Sequence, residues 1–309
     1  MSSPAAPVSA SAPLDAVQPA IEHTRRHLFP FRFERWLALG FVAFLDQCGR
    51  GGASFNVPGP GGWGDTEGAR GEIDSALAWL AAHVVLVSVL AALALAIVVA
   101  VAAVVLWINS RGVFMYVDDV ATGRADVARP WREHAGLASS YFAWSFGLTV
   151  ATLTVVLLLV LAIGGVALVM VRGRPSAIVA GVALIVGLVL LLLTVAFVAV
   201  LASVALRDFV APLQIAAGRP CGEAVQVFLG LLRAHPGVFV VYVLLKVALI
   251  LVLGMVALVL GCCTCCFGFL PVVAQTALQP AYYFERAWPL YVLRQLGHDL
   301  LAPPALPAA

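Results

Sequence analysis

Four of the six cysteines stand in five consecutive positions, Cys262, Cys263, Cys265 and Cys266 of the stretch GCCTCC. Overlapping CxxC spacings are the pattern by which thiolates hold soft metals or close disulfides. Three readings are open here: small-residue packing at a tight helical turn, a disulfide with Cys48 as a further candidate partner, or a metal site. Zinc prefers well-spread ligands, so four cysteines in five residues would be strained as a complete site. Lys246 is the one lysine among 18 basic residues and lies inside the apolar run VYVLLKVALIL. An ionisable group there is costly and marks a substrate or proton site by default. The plainer reading is a lysine that snorkels or pairs with a carbonyl or carboxylate. No apolar run holds an interior Asp or Glu, which weakens a proton relay. Gln275 and Gln279 are four apart and share a helical face, between Pro271 and Pro280. They either line a cavity beside broken helix geometry or hydrogen-bond between helices.

Other chemistry is weaker. Asp118, Asp119, Asp126 and Glu133 gather near Arg124, Arg129, Arg132 and His134 without the ligand spacing of a hard-cation site, and read as solvated charge pairs. The GxGxxG at Gly59, Gly61 and Gly64 has no βαβ unit around it and reads as a flexible loop. HExxH, P-loop, GxSxG and kinase signatures are all missing. The sequence therefore implies no enzyme and no cofactor.

The elements that must position these residues follow from composition. The chain has 309 residues, 62% hydrophobic and 11% charged, with a mean hydropathy of +1.02. So few charges cannot coat a water-soluble surface. A formal charge of +2 gives no basic field for nucleic acid. Runs of about 20 apolar residues cross a bilayer as helices. Ala78–Ile108, Leu137–Val171, Ser176–Leu206 and Gly237–Leu260 qualify, and Thr264–Phe284 is expected as a proline-kinked span. Phe33–Cys48 is short and charged at both ends. It either spans with local thinning or lies flat in the interface. The positive-inside rule decides for spanning. Six spans place thirteen arginines on the cytoplasmic side and four (Arg50, Arg70, Arg172 and Arg174) outside, whereas five spans split them nine to eight.

The expected fold is all-α, a polytopic transmembrane helical bundle of about six spans with interfacial helices in two cytoplasmic loops. The helical membrane domain covers 29–300, with spans near 33–48, 78–108, 137–171, 176–206, 237–260 and 264–284. Residues 1–28, with room for a short amphipathic piece before Arg25, and 301–309 are expected as disordered tails, both cytoplasmic. The two loops, RGVFMYVDDVATGR (111–124) and RDFVAPLQIAAGR (207–219), each begin with Arg at a helix end and close on Gly-Arg. This suggests a weak internal repeat of span, interfacial helix and span. Arg111, Arg124, Arg207 and Arg219 are candidate interfacial anchors, with heads at the lipid headgroups. Binding a lipid phosphate is the sharper alternative for Arg111 and Arg207.

PFRFERWLALGFVAFL (30–45), INSRGVFMYVDDVATGR and FERAWPLYVLRQLG (284–297) together resemble an uncharacterised family of bacterial and archaeal multi-pass membrane proteins. That family is similar in layout to the membrane domain found beside some glycerophosphodiester phosphodiesterases. The resemblance covers roughly residues 29–300 and implies six helices, but no catalytic residues. Arginine and alanine richness suggests a GC-rich bacterial genome, hence an inner-membrane location. The expected partners are the lipid bilayer and, alternatively, other membrane proteins. A structural or accessory role is the preferred reading, and a transporter or channel for a small solute or lipid is the alternative.

Overall fold

Two short helices, α1 (Ala12–Asp15) and α2 (Val17–Leu28), open the chain. In the computed structural model the described residues are 9–48, 75, 78–79, 81–172, 175–263 and 272–301, and every regular element among them is helical. Helix α3 (Phe33–Gln47) follows Pro30, before which a helix cannot readily continue. Next come the long α4 (Val84–Thr122), the short α5 (Ala128–Glu133), and the long α6 (Ala135–Arg172) and α7 (Pro175–Ala205). A π-helical turn over Leu206–Val210 leads into α8 (Ala211–Ala217). The amphipathic α9 (Cys221–Ala234), the long α10 (Pro236–Cys263), α11 (Val273–Ala277) and α12 (Gln279–Gln295) complete the order.

Four stretches are long and apolar enough to cross a membrane: Val84–Thr122, Ala135–Met170, Ile178–Ala217 and Pro236–Val259. Their apolar parts are largely exposed on the protein, as helices facing lipid would be. Burial begins where the apolar runs stop. In α4 the side chains from Ile108 back to Val84 are exposed or half-exposed, whereas Gly112–Val120 are buried on all sides. The core therefore sits at one end of the four long helices. It is built from the C-terminal part of α4, the π turn with α8, the first turns of α6 and α10, and α1–α3, α9 and α12. This end is called the base.

Three expectations need correction here. The segment 1–28 is not a tail along its whole length: it is helical from Ala12. Ala12, Ala16 and Ala20 are buried at a spacing of four, α2 packs on α12, and Trp288 Nε1 donates to the Pro13 carbonyl at 2.8 Å. Small residues let the backbones approach closely, and an Ala-rich composition does not display that stripe as hydrophobic. Second, residues 111–122 and 207–217 are not interfacial loops but unbroken continuations of the preceding helices, buried in the base. Third, α3 lies at the base, with Leu39, Val42, Ala43 and Asp46 buried against α4. The 301–309 tail, apart from Leu301, lies outside the described residues.

The Gly-Arg signature is real as a helix stop. Gly123 (φ 68°) and Gly218 (φ 63°) both sit in the left-handed region that ends helices at little steric cost. The amides of Gly123 and Arg124 both bond the Asp119 carbonyl, and those of Gly218 and Arg219 both bond the Gln214 carbonyl. Gly112 has a different reason: a Cβ there would overlap the backbone of Leu45 and Asp46 in α3. That close crossing sets Asp46 against α4.

Candidate functional site

Six ionisable side chains from four places in the sequence meet in one buried layer just below the apolar parts of the long helices. They are Asp46 (α3), Arg207 and Asp208 (π turn), Lys246 (α10), and Glu285 and Arg286 (α12). Asp46 is fully buried and receives two bonds from Arg207, through Nε at 3.3 Å and through Nη2, and one from Arg286 Nη2. Glu285 Oε1 is shared by Arg207 Nη1 and Lys246 Nζ, both at 2.9 Å. Asp208 Oδ2 faces Lys246 Nζ at 2.9 Å and accepts from the Tyr242 hydroxyl at 2.8 Å. Its Oδ1 lies 3.7 Å from Arg286 Nη1 and 3.9 Å from Arg207 Nη1. Three carboxylates and three cations thus balance in charge.

Local backbone chemistry helps to place them. Ala211 N–H bonds the Leu206 carbonyl across the wide turn. The next residue, Pro212, has no N–H to give the Arg207 carbonyl. That carbonyl accepts instead from Arg286 Nη1 at 3.0 Å. An obligatory backbone acceptor is satisfied from another helix, as buried carbonyls require. Asn109, at the last apolar turn of α4, donates to the Asp46 carbonyl and ties the end of α3 in place. Tyr116 lies under the Arg286 guanidinium, 5.9 Å from its ring centre, and its hydroxyl accepts from Gln279 Nε2 at 3.0 Å.

Taking such charges out of water costs several kcal/mol each. The layer is stable only because each ion meets opposite charges and further hydrogen bonds. The sequence reading missed five of its six members. Asp46, Asp208, Glu285 and Arg286 carry no role in the sequence analysis, and Arg207 is expected at the headgroups. Arg207 is in fact buried and paired, which overturns its role as an interfacial anchor. Lys246 pairs with two carboxylates, as its plainer reading has it, although these come from segment ends rather than from the interior of an apolar run. A local signal existed in the adjacent pairs Arg207-Asp208 and Glu285-Arg286 at the ends of apolar segments.

The remaining candidates are dispersed. Arg111 is half-exposed between the Trp107 and Trp131 rings, at 5.5 and 5.6 Å, and donates to the Trp131 carbonyl. Arg124 and Arg219 are exposed, the latter 3.6 Å from Glu223. Gln275 and Gln279 fall on separate helices, α11 and α12. Gln275 donates to Gln47 Oε1 at 3.3 Å, while Gln279 is fully buried on Tyr116. Asp118 pairs with Arg129 and, at 3.4 Å, with His134, and Arg129 also bonds Glu133 at 3.0 Å. Cys48 and Cys262 are free thiols. The side chain of Cys263, and Cys265 and Cys266 altogether, lie outside the described residues. Cys221 is a third free thiol, buried in α9, and burial pushes it up to about 12. No group of three or more potential metal ligands occurs among the described residues.

Four helices long and apolar enough to cross a membrane stand on a buried ionic layer, the architecture expected of a helical membrane protein. The chain belongs to a family of unknown function (DUF7544), which matches residues 11–298. No curated protein and no solved structure matches it.

Proposed function

We propose that this chain is a polytopic membrane protein with both termini in the cytoplasm, and that its role is structural or accessory rather than enzymatic. The observation that carries the role is the mutual pairing of Asp46, Arg207, Asp208, Lys246, Glu285 and Arg286. Every charge in the layer is engaged by a neighbour on another element, which suits a lock between spans and base better than an acid–base pair waiting for substrate. Topology is supported by the packing of α1–α3 and α12 together at the base. The excess of arginine on the base side orients that side inward. Reporters fused after Ala5 and after Ala302 should both read cytoplasmic; an N-terminal reporter active outside would overturn the topology.

One observation favours transport instead. Arg207, Lys246 and Glu285 also form the floor of a cavity of about 700 Å³ between α6, α7 and α10. Liposomes carrying the purified protein separate the readings. The accessory role predicts ion and proton permeability at the protein-free level. A flux that Lys246→Met abolishes would establish transport.

A further inference from the structure

The cavity above the ionic layer has the two-part chemistry of a lipid site. Its walls are Leu148 and Leu153 of α6, Val200 and Val204 of α7, and Ile250 and Leu253 of α10. Helix α10 meets α1 and α9 through its first turns, and its upper part leaves a groove beside α7. From Lys246 at the floor to Ala257 at the top is eleven residues, or about 16 Å at 1.5 Å per residue. That is close to half of a hydrocarbon core about 30 Å thick, one leaflet's depth.

The floor is charged but neutral in sum. Lys246 Nζ has two carboxylate neighbours, so the third of its three hydrogens remains. Arg207 likewise has more N–H groups than the three bonds it gives to Asp46 and Glu285. Glu285 takes both of its cations on Oε1, which leaves Oε2 as an acceptor at the cavity floor. Donors and an acceptor stand side by side, and a ligand with net charge would unbalance the layer. Tyr282 and Gln47 add polar groups at the same level.

We propose that this groove binds one phospholipid with a zwitterionic head, its phosphate on Lys246 and Arg207, its primary ammonium on Glu285, and an acyl chain between α7 and α10. The proposal rests on the reading of the long helices as membrane-crossing. Bound this way, the lipid completes the gap between α7 and α10 and couples the ionic layer to the surrounding leaflet.

Gly254 supplies a clean test. It lines the groove, and a Cβ added there meets nothing within 4 Å, so Gly254→Leu fills the chain path without touching the ionic layer. The full-length protein in detergent is titrated with phosphatidylethanolamine and, separately, phosphatidylglycerol of the same chains, and bound lipid is read by native mass spectrometry. The site predicts about a tenfold preference for phosphatidylethanolamine, and about a tenfold loss of it in Gly254→Leu with thermal unfolding unchanged. Equal binding of the two lipids, or wild-type binding by Gly254→Leu, would overturn it. Alkaline carbonate extraction keeps the two readings apart. Release of the wild-type protein from membranes would refute membrane crossing, whereas retention combined with absent lipid preference refutes the lipid site alone.

Discussion

Arg111 and Arg207 open two stretches that read alike, RGVFMYVDDVATGR and RDFVAPLQIAAGR, and end on the same glycine cap. Yet Arg111 lies half-exposed between two tryptophan rings, and Arg207 is buried among carboxylates. Partners make the difference. Arg111 binds residues close by, Trp107 and Trp131. Arg207 binds Asp46 and Glu285, which are 161 and 78 residues away. Two stretches alike in sequence therefore share their caps while their arginines take opposite environments, one half-exposed on aromatic rings and one buried among carboxylates.

The largest test of this contrast is Arg207→Met. It leaves Asp46 and Glu285 each short of a cation in a buried site, and is expected to cost about 3–5 kcal/mol, seen as a large fall in thermal unfolding temperature in detergent. Next come the caps. Alanine at Gly123 must adopt a left-handed backbone, at about 1–2 kcal/mol, and its Cβ would also overlap the His27 ring. Alanine at Gly218 carries only the backbone term, because a Cβ there meets nothing within 4 Å. Gly123→Ala should thus be the more destabilising of the two in the same assay. Smaller again is Arg111→Met. A cation on exposed aromatic rings contributes about 0.5–1 kcal/mol, so this variant should stay near wild type where Arg207→Met does not.

The smallest effect is a slope with pH. Burial holds His23 below the ordinary histidine range, although its bond to the Val120 carbonyl at 2.8 Å acts the other way. Neighbouring His27 and Arg26 lower it further. The unfolded chain, with an ordinary value near about 6.5, takes up the proton first as pH falls. Stability from the neutral ring is therefore full above that value and is lost as pH falls through the depressed folded value. Unfolding temperature measured from pH 7.5 to 5 should decline less steeply in His23→Gln than in wild type.

Much of the fold was legible because lipid as a solvent writes itself into composition. The runs behind α4, α6, α7 and α10 are too long and too apolar for anything else. What could not be read locally was where each helix leaves the hydrocarbon. Gly112–Val117 carries no charge and continues the run before it, while Asp118 and Asp119 follow at once, so a buried helix in the base looks like a span end or a loop start. The site was less legible. Lys246 stood out because it is alone in an apolar run. Its carboxylates, Asp208 and Glu285, sit at segment ends, where a charge is ordinary and gives no sign of a distant partner. The packing of the chain's helical start was hidden for a related reason: Ala12, Ala16 and Ala20 pack by being small, not by being greasy.

The central claim is that the buried charges act as one coupled lock between spans and base. A double-mutant cycle tests it most directly, with Arg207→Met, Asp46→Leu and the pair compared by thermal unfolding of the purified protein. Removing both leaves Asp208, Glu285, Lys246 and Arg286, still balanced in charge. The double variant should be at least about 2 kcal/mol more stable than the sum of the single losses implies. Losses that add to within about 0.5 kcal/mol would contradict the lock and leave the six charges as separate neighbours.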